Sequence, residues 1–252
     1  MSMPLILAHR GASAYAPENT IAAFRLAHEL GADGIEFDVQ LTRDKIPVVI
    51  HDDTVDRTTN GKGRVCDLPI GEIARLDAGA WKANDYAGEP IPTLAQVFDA
   101  LADWIHPTGR ARPCFINVEL KTEYLFTDGL ENQVLNVIAR YGIQDRILLS
   151  SFSPLSLHRA RAINAQLPRG LLYDLSMPIH LRQAWLRFWA DPQAMHPEAS
   201  MIDAAYMQWA KQKKMQVNTW TVDDPDKARQ LANLGVHAII TNKPDVIRDA
   251  LK

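Results

Sequence analysis

Stretches patterned like strands and stretches patterned like helices alternate from one end of the chain to the other, with no linker or low-complexity break between them. Such alternation builds parallel sheets, because each helix carries the chain back to begin the next strand in the same direction. Strands are expected near 4–9, 33–40, 114–120, 146–151, 169–173, 195–200, 215–220 and 236–241. Helices are expected from about 20 to 30 and near 94–101, 129–141, 154–165, 178–190, 203–213 and 225–234. The last is framed by Asp224 as N-cap, Pro225 in its first turn and Gly235 just past its end. Eight parallel strands with their helices in 252 residues give an α/β chain of (β/α)8 TIM-barrel size. A doubly wound open sheet would need a glycine-rich phosphate turn after the first strand, and His9-Arg10-Gly11-Ala12-Ser13-Ala14 is not one.

A single barrel domain over 1–252 is therefore expected, with one interruption. Residues 54–92 lose all periodicity and are punctuated by Gly61, Gly63, Pro69, Gly71, Gly79, Gly88, Pro90 and Pro92. A stretch that long without a core pattern reads as a lid or small subdomain inserted after the second strand.

The stretch 33–53 carries the most chemistry. In Ile35-Glu36-Phe37-Asp38-Val39-Gln40 the period of two puts Glu36, Asp38 and Gln40 on one face and Ile35, Phe37 and Val39 on the other. The run 46–50 follows after a connection too short for a parallel crossover, so the two should form a hairpin. A two-residue loop at Arg43-Asp44 or Asp44-Lys45 would set His51 opposite Glu36 or Asp38. Taken alone, the same hairpin could simply carry a solvated polar face.

In a barrel, functional groups gather at the C-terminal ends of the strands. The first strand delivers His9 and Arg10, the second Glu36 and Asp38 with His51 on its hairpin, and the third Glu119 and Lys121 on one face. Asn218 and Trp220 share a face at the seventh. Three carboxylates repel unless a cation sits among them, and an all-oxygen set suits Mg2+ or Ca2+ rather than zinc. Glu36, Asp38 and Glu119 are accordingly assigned to one divalent cation. Arg10 and Lys121 beside it would complement the spreading negative charge of a phosphate or phosphate ester. His9 and His51 suit the removal of one proton and the delivery of another near neutral pH.

Bulk properties exclude other classes. Lys and Arg total 27 against 30 for Asp and Glu, a net charge of −3 that offers no general attraction to nucleic acid. The apolar run at the start spans only Pro4 to Ala8 and lacks a basic leader, so no signal peptide or membrane insertion is expected, and a cytoplasmic protein is. Cys66 and Cys114 have no metal-type spacing and are expected as free thiols. Trp185, Phe188 and Trp189, with Leu181, read as one face of a helix packed on the barrel. The remaining six histidines lack comparable company and read as structural.

The ordered motifs His9-Arg10-Gly11, Pro17-Glu18-Asn19-Thr20, Glu36-Phe37-Asp38-Val39, Val48-Val49-Ile50-His51-Asp52 and Arg57-Thr58-Thr59-Asn60-Gly61 resemble the glycerophosphodiester phosphodiesterases. Glu119-Leu120-Lys121, Ser150-Ser151-Phe152, Asn218-Thr219-Trp220-Thr221-Val222 and Ile239-Ile240-Thr241 extend the resemblance over nearly the whole chain. It implies a phospholipase-C-like barrel that hydrolyses a small-molecule glycerophosphodiester to an alcohol and sn-glycerol 3-phosphate. By the same resemblance His9 and His51 act as general acid and base, Glu36, Asp38 and Glu119 bind Mg2+ or Ca2+, and Arg10 and Lys121 contact phosphate. Phe152 and Trp220 match aromatics beside the glycerol or alcohol, and the segment after His51 matches the family's inserted subdomain. Asn242 stands where an aspartate is common, and no function is expected of it. A related lyase that stops at a cyclic phosphate, a sugar-phosphate isomerase or aldolase, and a catalytically silent phosphate-ester-binding barrel are the alternatives.

Overall fold

In the computed structural model, which describes residues 3–109, 113–122, 127–179 and 184–252, β1 (Leu5–His9) pairs in parallel with both β2 (Gly34–Leu41) and β9 (Ala238–Thr241). That double pairing closes the sheet. From β2 the ring continues through β4 (Phe115–Leu120), β5 (Ile147–Ser151), β6 (Arg169–Tyr173), β7 (Ala194–Pro197) and β8 (Gln216–Thr219) back to β9, every pairing parallel. β3 (Pro47–Val49) is appended antiparallel to β2, outside the ring. The chain is an eight-stranded parallel barrel with flanking helices.

The helices follow their sequence signals. Thr20 caps the helix Ile21–Glu29 by accepting from the Ala23 amide, Thr93 and Gln96 form the capping box of Leu94–Ala100, and Asp224 caps Pro225–Leu234, which ends on left-handed Gly235. A final helix, Pro244–Ala250, was not expected from the sequence. Its 7 residues make only about two turns, too short for an apolar period to declare itself.

Outward-facing side chains of the strands pack against these helices in two large clusters, one around Phe24, Phe37, Phe98 and Ile116 and one around Ile6, Val217, Leu231 and Ile239. Inside the ring the floor is apolar, with Leu7, Ala238 and Ile240 packed on Leu5, Phe115 and Trp220. Above it the interior turns polar, carrying buried Glu36, Asn117, Ser150, His196 and Asn218. Gly170 makes room for one of these, because a Cβ there would lie 2.4 Å from His196 Nε2.

Two expectations fail. The hairpin loop has three residues, not two: Thr42 N–H donates to the Ile46 carbonyl across Arg43, Asp44 and Lys45, and Lys45 adopts a left-handed φ of 64°. The ladder therefore pairs Val39 with Val49 and Leu41 with Pro47, a register whose extension sets Phe37 opposite His51 instead of Glu36 or Asp38. The helix expected over 178–190 is present in the described residues as Arg187–Ala190, with His180 and Leu181 outside them. Trp185, Phe188 and Trp189 are exposed, and Ala184 and Ala190 supply the buried contacts instead. Both cysteines are free, Cys66 exposed and Cys114 buried. No helix among the described residues is long and apolar enough to cross a membrane.

Val48 of β3 and residues beyond it build a small core of their own. Val48, Ile50, Val55, Val65, Ile73, Ala78 and Ile91 are buried together, with Leu68, Ile70 and Leu76 against them. The sequence hid this because its apolar residues sit on turns and on the short helix Ile70–Ile73, with no repeat to read.

Candidate active site

The end of β1 turns sharply. Arg10 takes a left-handed φ of 54° and Gly11 one of 81°, and a Cβ on Gly11 would lie 2.6 Å from that of Ala23, so only glycine fits. The turn aims the Arg10 side chain back over the acidic face of β2. Its Nε lies 3.3 Å from Asp38 Oδ2, its Nη1 donates to Glu18 Oε1 at 2.9 Å, and its backbone N–H donates to Glu36 Oε2 at 3.2 Å.

Glu36, Asp38 and Glu119 converge because β2 and β4 are neighbours in register: Glu36 pairs with Asn117 and Asp38 with Glu119. One carboxylate oxygen of each lies within 4.8 Å of the others, and all three residues are buried. Burial pushes Glu119 up to about 7, reinforced by the Asp38 charge, and raises Glu36 well above the carboxylate range, reinforced by Asp38 and Glu119. Burial would raise Asp38 too, yet Arg10, with His51, Lys121 and the Asn19 amide, holds it below that range. Lys121 Nζ sits 3.3 Å from Glu119 and 3.9 Å from Asp38. Buried carboxylates that resist ionising together and offer only oxygen are a fitting set for a hard divalent cation.

His9 closes the other side, its Nε2 3.9 Å from Glu36 Oε2. Burial and the Arg10 charge bring its imidazole down to about 4, against the opposing pull of Asn242 and Asp38. His51 reaches the site without the ladder that was to place it. Ile50 N–H donates to the Asp38 carbonyl, after which the chain leaves the strand, and the Gln40 side-chain amide spans the carbonyls of Ile50, His51 and Asp52 at 3.1, 3.0 and 2.8 Å. Gln40 sits on the acidic face of β2, so it ties the His51 turn to the same face by a different route.

His51 Nδ1 and Asp52 Oδ1 are 2.6 Å apart. Arg57 grips the other side of Asp52, and those hydrogen bonds, with His51, hold the Asp52 carboxyl far below its usual range. The same guanidinium donates to both oxygens of Glu18, whose Oε1 also accepts from Arg10. A chain of alternating charge thus runs from His51 through Asp52, Arg57, Glu18 and Arg10 to Asp38.

His9, Arg10, Glu36, His51 and Glu119 line one cavity of about 240 Å³, with Phe152 and Trp220 on its wall. The two rings meet edge to face, centroids 5.5 Å apart, and Trp220 Nε1 donates to the His196 carbonyl. Lys121 lines an adjoining cavity that shares Glu119 and Phe152. Asn218, read from the sequence as a rim residue with Trp220, lies below the rim. It is fully buried, its amide nitrogen 2.9 Å from His196 and its oxygen 2.9 Å from His237.

Glu18, Asn19, Asp52 and Arg57 stand in the quoted motifs without assigned tasks; for Glu18, Asp52 and Arg57 opposite charge is the available signal, and for Asn19, whose amide donates to Asp38, there is none. Asn242 was set aside, yet its Oδ1 lies 2.7 Å from His9 Nδ1. The signal for it was topological: in a closed barrel the residue after the last strand faces the residue ending the first.

The sequence profile of the Glycerophosphoryl diester phosphodiesterase family matches residues 9–246. A glycerophosphodiester phosphodiesterase of Caldanaerobacter subterraneus subsp. tengcongensis is 40% identical over 245 residues, covering 96% of each chain. One from Bacillus altitudinis is 34% identical, covering 99% of this chain and 100% of that one. Among solved structures, an Oleispira antarctica phosphodiesterase in complex with the product sn-glycerol-3-phosphate superposes with a TM-score of 0.86 at 32% identity, covering 98% of this chain and 96% of that one.

Proposed function

The chain belongs to the Glycerophosphoryl diester phosphodiesterase family, and from that membership we propose that it hydrolyses glycerophosphodiesters to an alcohol and sn-glycerol 3-phosphate. The observation that carries the reading is the convergence on one cavity wall of two imidazoles, an arginine and two carboxylates, Glu36 and Glu119, of the buried triad they form with Asp38.

Glu36, Asp38 and Glu119 would hold one Mg2+ or Ca2+, which when bound supplies Lewis-acid stabilisation to the phosphoryl oxygens. Arg10 and Lys121 bind and orient the phosphate through charge-assisted hydrogen bonds. His9 and His51 divide the proton work, one taking the proton of the attacking oxygen and the other protonating the leaving alcohol oxygen. Phe152 and Trp220 provide an apolar wall for the carbon skeleton and keep water from it. Residues 54–92 form a small subdomain within a single barrel domain, and its Arg57 reaches back to the catalytic rim.

The test is release of sn-glycerol 3-phosphate from glycerophosphocholine and glycerophosphoethanolamine, with and without EDTA, followed by Mg2+ or Ca2+ add-back. Product that vanishes with chelator and returns with one ion is the expected result. No product with either ion would overturn the reading.

A further inference from the structure

Asn242 begins the segment after β9, and β9 is the strand beside β1, so its side chain stands next to the His9 ring. Its amide is held from behind by Asp223. The Asp223 carboxylate accepts from the Thr241 hydroxyl and the Asn242 backbone N–H through Oδ1, each at 2.8 Å, and lies 2.6 Å from the Asn242 side-chain amide through Oδ2.

Those contacts settle which end of the amide faces the histidine. An ionised carboxylate can only accept, so the group 2.6 Å from Asp223 Oδ2 is the Asn242 NH2, and the amide oxygen points the opposite way. That oxygen is 2.7 Å from His9 Nδ1 and also 2.7 Å from Ser13 Oγ, whose hydroxyl lies 2.7 Å from the His9 carbonyl as well. An oxygen acceptor at Nδ1 requires a proton there, and the neutral ring then carries its lone pair on Nε2, the nitrogen that faces Glu36 and the cavity.

We propose that Asn242, oriented by Asp223, is a positioning residue that holds neutral His9 as the Nδ1–H tautomer and so presents a basic Nε2 to the substrate. With Asn242 in place, His9 takes the proton from the attacking oxygen, and the other proton transfer falls to His51. This inference rests on the reading of His9 as part of the hydrolytic machinery.

The experiment combines turnover of glycerophosphocholine with nitrogen NMR of the histidine rings in the Mg2+- or Ca2+-loaded protein, His9 being identified by the signal lost in His9→Gln. The wild-type His9 should show the Nδ1–H pattern. Asn242→Ala should lower kcat about tenfold or more while KM stays within about twofold, and the His9 signal should move away from that pattern. The double variant Asp223→Asn with Asn242→Asp exchanges carboxylate and amide while keeping an acceptor against His9 and a donor between the two positions, and should recover both turnover and the Nδ1–H pattern. If the alanine variant does not fold, Asn242→Ser, whose hydroxyl is too short to reach the ring, should lose kcat and the tautomer signal in the same way. Wild-type kcat in the folded Asn242 variants, or an unchanged His9 pattern, would overturn the proposal. Absence of product from the wild-type protein would overturn the hydrolytic reading instead, and the ring spectra would still decide by themselves whether Asn242 fixes the tautomer.

Discussion

Arg57 forks onto Glu18 through hydrogen bonds of 2.8 and 2.9 Å, joining the segment that follows β3 to the loop that follows β1. Because Glu18 also accepts from Arg10 and Arg57 also holds Asp52, this one guanidinium steadies both the Arg10 side chain and the His51 turn. Arg57→Ala should lower kcat/KM about tenfold, equivalent to about 1.4 kcal/mol of transition-state stabilisation. The Arg57 side chain is 45% exposed, so the ion pairs themselves contribute little to folding and the thermal midpoint should barely move. Steady-state kinetics alongside thermal unfolding separate the two effects; a large fall in midpoint with unchanged kinetics would show Arg57 to be structural.

The carboxylate triad is the least comfortable part of the metal-free protein, since burial and mutual repulsion oppose ionisation of Glu36 and Glu119. A divalent cation held there would remove that opposition, and the three carboxylates are brought together only in the folded chain. Saturation to about a hundred times Kd should therefore stabilise the fold by about 2.7 kcal/mol. The measurement is a melt in EDTA against one in Mg2+ or Ca2+. Asp38→Asn should abolish both the shift and turnover, and an ion-independent melt would argue that the triad holds no metal.

His9→Ala and His51→Ala should each lower kcat by about 10² to 10⁴. Their circular dichroism and cooperative unfolding should match the wild type, because both rings stand at the rim outside the apolar clusters. Full activity in both variants would sink the acid-base assignment.

The barrel was legible because its signals are local and repeat: each strand is a short apolar run, and each helix carries a cap or an apolar stripe. Glu36, Asp38, Glu119 and Lys121 were legible for the same reason, since a period of two fixes the face of a strand residue once the strand is recognised. His51 reaches the cavity by a route other than the expected one. The expected register was off by one, and the side chain arrives through the Gln40 clamp, which no periodicity encodes. The contacts of Asn242 with His9 and of Arg57 with Glu18 were not legible because the partners lie 233 and 39 residues apart. Such contacts are set by ring closure and by the packing of the segment after β3, neither of which leaves a pattern in neighbouring residues.

His196 offers a test away from the cavity that His9 and His51 line. Fully buried beneath the rim beside Asn218, it is pulled by burial down to about 3, with the neighbouring His237 charge a lesser cause. An unfolded chain would release it to an ordinary pKa near 6.5. The unfolded state then binds a proton that the folded state refuses, so stability is level above about pH 6.5 and falls as the pH drops from there toward 3. Between pH 7 and pH 5 the loss from this residue should be about 2 kcal/mol. Urea unfolding at the two pH values measures it, with His196→Gln as reference, whose amide can still accept from Asn218 but cannot take up the proton. His9 and His237 are also lowered and contribute to the wild-type slope in the same direction, so the diagnostic quantity is the difference between the two slopes. Equal slopes would mean that His196 is protonated in the folded barrel, which its contact with the Asn218 amide nitrogen argues against.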